Sequence, residues 1–295
     1  MTKINNSVLK FRKILDKNYF ISAPCCFDAL SAKMVENIGF DLTVMSGFSA
    51  AASRLCMPDL GLMSYSEVYN QAKNIIETIS IPLIVDADNG YGNVMNVRRT
   101  TTEFIKLGCA GILIEDQILP KRCGHTPGKE VVNREESYDR IKAVIDIRDE
   151  FGDIVVIART DSNHTHGLNE AIIRGQEYYK LGADIIFIEA PKNLKEMKLI
   201  CDQVPGKKII NMLEGGITPI LSLEEMKEIG FSIALHPLTL LASSMLAMKN
   251  ALLMLKENKI TNTHLLNFNE IKDIIGFNKY YEIASKYNSL GKDKN

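Results

Sequence analysis

Short apolar runs, rich in β-branched residues, alternate along this chain with longer stretches of helical period. The runs fall at 19–24 (YFISAP), 41–47 (DLTVMSG), 81–88 (IPLIVDAD), 110–116 (AGILIED), 154–160 (IVVIART), 184–190 (DIIFIEA), 208–213 (KIINML) and 231–237 (FSIALHP). Amphipathic helices are predicted between them, over 66–79, 94–107, 134–150, 168–181 and 222–229. Several helices close on a glycine immediately before the next run, at Gly39, Gly108, Gly182 and Gly230. A left-handed residue there ends the helix and lets the chain re-enter the sheet. Strands that are apolar almost throughout and joined by helices belong to a parallel sheet covered on its outer face. Eight such units in series predict a closed (β/α)8 TIM barrel rather than an open doubly wound sheet.

Two connections are longer than the others, 48–65 and 117–133, and both follow the carboxyl ends of predicted strands, where barrel enzymes keep their sites. Beyond the eighth strand, 238–256 and 268–286 read as two further helices. No linker or shift of composition interrupts the series. The expectation is therefore one domain over 1–295, with the barrel over about 19–256 and a helical appendage over about 257–295.

Composition narrows the classes. With 46% hydrophobic and 24% charged residues the 295-residue chain is an ordinary globular protein. Lys and Arg number 35 against 36 Asp and Glu, so no basic excess exists to hold nucleic acid or an anionic membrane. The N-terminus lacks the continuous apolar core of a signal peptide, and the most apolar stretch, 232–248, contains His236 and Pro237. Six cysteines without a C-x-x-C pair read as reduced thiols, hence a cytoplasmic protein.

Polar residues gather at the predicted strand ends: Asp86 and Asp88, Glu115 and Asp116, Arg159 to Asp161, Glu189, Asn211 with Glu214, and His236. Any one of them could be a solvated or capping group; such a succession at one end of a barrel points to a site. Asp86, Asp88 and Glu115 offer only hard oxygen donors, which suits Mg²⁺ and, as a substitute, Mn²⁺. Zinc is disfavoured, because the C-x-H of Cys123 and His125 lacks further ligands. Cys123 stands in the segment KRCGH beside Lys121, Arg122 and His125, a field expected to favour its thiolate. The other five cysteines sit among apolar or small residues and read as packing. Ser46 and Gly47 offer a hydroxyl and backbone N–H groups for a carboxylate; a simple turn accounts for them equally well.

These segments together resemble the isocitrate lyase/phosphoenolpyruvate mutase superfamily. The resemblance spans nearly the whole chain, through SGFSAA, MPDLGLMS, PLIVDADNGYGN, GILIEDQ, KRCGH, IARTD, FIEAP and NMLEGGITP. It implies a (β/α)8 barrel that uses Mg²⁺ to hold an α-oxyacid or α-hydroxyacid, in a homotetramer whose C-terminal helices swap between subunits. KRCGH resembles the branch of carbon–carbon lyases and carboxyphosphonoenolpyruvate mutase, and in those lyases the cysteine matching Cys123 protonates the departing carbanion. Two positions depart from the methylisocitrate lyases: Val44 stands where they have Tyr, and Ala242 where they have an Arg for an additional carboxylate. Loss of that guanidinium disfavours a tricarboxylate and favours a 2-alkylmalate such as 2,3-dimethylmalate, cleaved to pyruvate and propanoate. Methylisocitrate cleavage, phosphonomutase and oxaloacetate hydrolase activities stand as alternatives.

The resulting expectation assigns the metal to Asp86, Asp88 and Glu115. A di- or tricarboxylate substrate lies against Ser46, Gly47, Phe48, Gly124, Arg159, Glu189 and Asn211. Cys123 is the acid, His125 and Lys121 shape its surroundings, and Asp59, Glu189 and a metal-bound hydroxide are the candidate bases, since Val44 cannot serve.

Overall fold

The computed structural model describes residues 5–17, 20–259 and 265–287. The first residue of the run expected at 19–24 and parts of the expected 257–295 appendage lie outside them. The chain runs α1 (Asn6–Asp16), β1 (Ile21–Cys26), α2 (Ala29–Ile38), β2 (Thr43–Met45), α3 (Gly47–Leu55), α4 (Tyr65–Ile76), β3 (Leu83–Asp86), α5 (Val94–Leu107) and β4 (Gly111–Glu115). It continues with α6 (Arg134–Phe151), β5 (Val155–Thr160), α7 (Ser162–Thr165), α8 (Leu168–Leu181), β6 (Ile185–Ile188), α9 (Leu194–Gln203), β7 (Lys207–Asn211), α10 (Leu223–Ile229) and β8 (Ile233–His236). After these come α11 (Thr239–Lys256), α12 (Phe268–Ile275) and α13 (Phe277–Ala284). The eight strands are parallel, and β1 pairs with both β2 and β8 to close a (β/α)8 barrel.

Side chains alternate across each strand, so the interior and the helix-facing side draw on alternate residues. Val44, Ile84, Leu113, Ile157, Phe187, Ile209 and Leu235 fill the interior. Met45, Val85, Ile112, Ile114, Val156, Ala158 and Ile186 pack outward under the helices. Val8, Phe11 and Leu15 of α1 join the interior cluster with Ile21 and Ile233, the first residues of β1 and β8, and with Ala110 just before β4. The N-terminal helix therefore plugs the amino end of the barrel and leaves the carboxyl end for the site.

Two expectations change. The connection 48–65 is helical in its first half: Ser46 caps α3 by accepting from the backbone N–H of Ser49, and Ala50 and Ala51 bury one face. The helix expected over 268–286 is broken at Gly276, whose φ of 85° ends α12 and starts α13.

The chain divides into two compact units between Ala242 and Ser243. In the second, Met245, Met248 and Leu252 of α11 are exposed along one stripe, as are Phe268, Ile271 and Ile275 of α12. Among the described residues no helix is long and apolar enough to cross a membrane.

Candidate active site

The alternation that fills the barrel also aims its last polar residues. Ser46, Asp86, Glu115, Arg159, Glu189 and Asn211 each follow by two an interior apolar residue, at 44, 84, 113, 157, 187 and 209, and so point the same way. Asp116 and Thr160 have the opposite parity. They bond to each other at 2.6 Å on the outer side, where Asp116 also takes Arg174 at 2.9 Å. All of the inward set except Glu115 lines one cavity, where Ser46, Asp86, Arg159, Glu189 and Asn211 meet Phe48, Asp59, Cys123, Gly124 and His125. Its remaining wall is apolar: Cys25, Val44, Leu113, Phe187, Leu213, Leu235, Pro237 and Leu238. Among the described lining residues, Arg159 is the one permanent cation.

Beneath this cavity lies an excess of carboxylates. Asp88 turns back through a left-handed φ of 49°, and its N–H donates to Asp86 Oδ1 at 3.2 Å. Gly47 abuts both groups: its N–H lies 3.4 Å from Asp86 Oδ2, and a Cβ there would meet that oxygen at 3.0 Å. Lys121 pairs with Asp59 and, at 2.7 Å, with Asp88. Burial nevertheless lifts the Asp88 carboxyl to about 6 against the pull of Lys121. Burial also pushes Glu115 well above the usual carboxylate range, and its Oε1 has no partner among the described residues. Arg159 reaches Glu115 at 3.3 Å and Glu189 at 3.6 Å, and donates from Nε to Asp161 at 2.8 Å. Burial opposes ionisation of Glu189, but Arg159, His125 and Lys129 outweigh it and hold the carboxyl at about 2.

This donor set fits a hard divalent cation, which would neutralise the surplus acid and take up the orphaned Glu115 oxygen. Among the described residues, however, no three His, Cys, Asp or Glu side chains form a ready-made ligand group. The set suits an ion that keeps much of its water and is joined by substrate, not one enclosed by a protein cage.

The loop 117–133 covers the cavity and is anchored along its length. Gln117 bonds to both backbone groups of Arg122, accepting at 2.8 Å and donating at 2.9 Å. His125 accepts the Ile217 N–H on Nδ1 at 3.1 Å, which leaves its proton on Nε2, 2.9 Å from Glu189 Oε1. Gly124 permits the closest approach: a Cβ would lie 2.5 Å from Arg159 Nη2 and from Glu189 Cγ.

Several expectations are corrected by this arrangement. Lys121 faces Asp59 and Asp88, and the Arg122 guanidinium contacts the Pro127 carbonyl at the surface, so neither supplies the expected thiolate-favouring field. Burial raises the Cys123 thiol above its ordinary value, only partly countered by the His125 N–H. Of the five cysteines assigned to packing, Cys26 and Cys109 belong to the core, Cys25 lines the cavity, and Cys56 is exposed at the end of α3. Glu214 accepts from Thr239 at the surface, and His236 bonds Ser22 at 3.1 Å. Sequence reasoning missed the apolar wall and Lys129. The alternation within each strand would have located the wall; a lysine inside a loop gives no such signal.

Residues 11–256 match the family described as phosphoenolpyruvate phosphomutase. The 2,3-dimethylmalate lyase of Eubacterium barkeri is 39% identical over 285 residues, covering 96% of this chain and 98% of that one. An oxaloacetate acetylhydrolase, solved with the inhibitor 3,3-difluorooxalacetate, superposes with a TM-score of 0.92 at 31% identity, over 99% of this chain and 100% of that one. A phosphonopyruvate hydrolase, solved with oxalate and Mg²⁺, gives 0.82 at 27% identity over 97% and 99%.

Proposed function

Because the chain belongs to the phosphoenolpyruvate phosphomutase family, and is a carbon–carbon lyase within it, we propose that it cleaves a 2-alkylmalate. For 2,3-dimethylmalate the products are pyruvate and propanoate. What carries this reading is the cavity itself: a half-buried Cys123 thiol, its proton affinity raised by desolvation, and the guanidinium of Arg159 share it with a wall of Val44, Leu113, Phe187, Leu213, Leu235 and Leu238. Such a wall suits alkyl substituents, and one permanent cation suits fewer carboxylates than a tricarboxylate carries.

Asp86, Asp88 and Glu115 would hold Mg²⁺ directly or through water, with Mn²⁺ as a substitute. When bound there, the ion would supply the positive charge that draws in a 2-hydroxy acid and makes its hydroxyl more acidic. Arg159 and the amino end of α3, at Ser46, Gly47 and Phe48, receive carboxylate oxygens. Asn211 donates 3.1 Å bonds to both Glu189 oxygens, and Glu189 holds His125, so this chain of contacts sets the loop edge beside Gly124. Asp59, on the cavity wall, takes the hydroxyl proton. The electrons of the C2–C3 bond leave with carbon 3, and the Cys123 thiol gives its proton to that carbon.

The chain works as one domain in a homotetramer, a reading supported by the apolar stripes on α11 and α12. A reduced Cys123 suits the cytoplasm, and all six cysteines are free. The decisive test is a product assay with purified protein and Mg²⁺ over 2,3-dimethylmalate, 2-methylisocitrate and oxaloacetate. Pyruvate with propanoate is expected to form fastest; preferential release of succinate, or of acetate with oxalate, overturns the 2-alkylmalate assignment.

A further inference from the structure

We infer that Lys129 is a positioning residue whose buried ammonium latches the loop 117–133 over the cavity and ties that closure to the seat of Arg159. The inference rests on the reading of this cavity as the active site.

The Lys129 side chain is fully buried. Its Nζ donates to the Gly124 carbonyl and, at 3.1 Å, to Asp161 Oδ1. One ammonium thus joins the residue between Cys123 and His125 to the end of β5. Asp161 is fixed from the barrel side, because its N–H donates to Asp116 Oδ1 at 2.9 Å. Asp116 is held in turn by Thr160 at 2.6 Å and by Arg174 at 2.9 Å. The same Asp161 carboxylate takes Arg159 twice, from Nε at 2.8 Å and from Nη2 at 3.2 Å.

Lys129 and Arg159 therefore share one anchored anion. With the loop down, Asp161 divides its charge between them, and Arg159 also reaches Glu115 and Glu189 at the cavity. With the loop lifted, Lys129 leaves and Asp161 holds Arg159 alone. Water entering the gap weakens the separated pair, so the contact is strong only when the loop is fully closed. The other basic side chains of the loop do not isolate this role. Lys121 pairs with Asp88 of the carboxylate cluster, Arg122 contacts the Pro127 carbonyl within the loop, and His125 lines the cavity, whereas Lys129 does none of these.

The test reads loop closure through thiol access. Wild type and Lys129→Met are treated with iodoacetamide without substrate, and each cysteine is followed by peptide mass spectrometry. Cys123 is expected to react at least tenfold faster in the variant. Exposed Cys56 and half-buried Cys201 should keep their wild-type rates, and Mg²⁺ affinity by calorimetry should stay within twofold. Equal Cys123 rates overturn the latch. A parallel rise at Cys201 marks general loosening and overturns it as well. Should Lys129→Met fail to fold, Lys129→Gln keeps a donor for Gly124, lacks the ion pair, and is judged by the same threshold. Alkylation needs no turnover, so the two readings fail separately: faster Cys123 alkylation beside an empty product panel removes the lyase assignment alone, and unchanged alkylation beside an active panel removes the latch alone.

Discussion

In the proposed reaction the thiol that delivers a proton has to hold it at neutral pH, and desolvation of Cys123 raises its proton affinity in the direction that role needs. The acid can wait under the closed loop as the neutral form. Replacing it by Ser keeps the shape of the cavity but substitutes a far weaker acid. Cys123→Ser is expected to lower kcat by about 10²–10⁴, the usual worth of a positioned proton donor, while Mg²⁺ binding by calorimetry stays near wild type. Steady-state rates on the substrate that the product panel identifies measure the effect, and an unchanged kcat removes Cys123 from the chemistry. Glu189 shows the opposite adjustment. Its neighbours hold its carboxyl at about 2, so it serves as a fixed anion that accepts from Asn211 and lies 2.9 Å from His125 Nε2.

At the scale of elements, the site depends on how helices brace the strand ends. Glu170 on α8 accepts from Arg134 of α6 at 3.0 Å and from Arg174 at 2.8 Å, and Arg174 continues to Asp116 behind the cavity. The bond from Arg134, aided by Arg174 and opposed by burial, holds the Glu170 carboxyl at about 2 against an ordinary 4.5. Because the folded value is the lower one, this stabilisation is complete above 4.5 and is lost as pH falls toward 2. Glu170→Gln should therefore lower stability at pH 7 by about 1 kcal/mol, since Arg134 is partly solvent-screened. Thermal melts should show the gap to wild type narrowing between those two pH values; a gap independent of pH would mean that the effect is not the ion pairs. The break at Gly276 is also an element-scale event. The apolar spacing continues across it, and one left-handed residue divides the helix.

For the whole molecule, the consequence lies in assembly. Leu252 is 64% exposed and Phe268 73% exposed, which is much apolar surface for a lone chain to leave in water. Sedimentation velocity at micromolar concentration is expected to show four copies of the 33.0 kDa chain. Leu252→Glu should shift the distribution to smaller species, because it places a charge within that apolar stripe. A wild-type monomer at that concentration overturns the tetramer.

The sequence by itself determined the barrel, because repeated apolar runs and glycine-ended helices are local signals that each unit carries whole. It also determined the end of the barrel at which inward polar side chains gather: Asp86, Glu115, Arg159, Glu189 and Asn211 follow interior residues at a spacing the strand enforces. Only the tertiary structure decided what charge each group meets, since partners such as Lys121 with Asp88, or Lys129 with Asp161, lie 33 and 32 residues apart in the chain. It alone replaced the cationic surroundings that the sequence suggests for Cys123 with desolvation that raises the thiol's proton affinity. The reason is physical: strand parity acts between neighbours two residues apart, whereas proton affinity depends on burial and on every charge within a few ångströms, whatever its place in the chain.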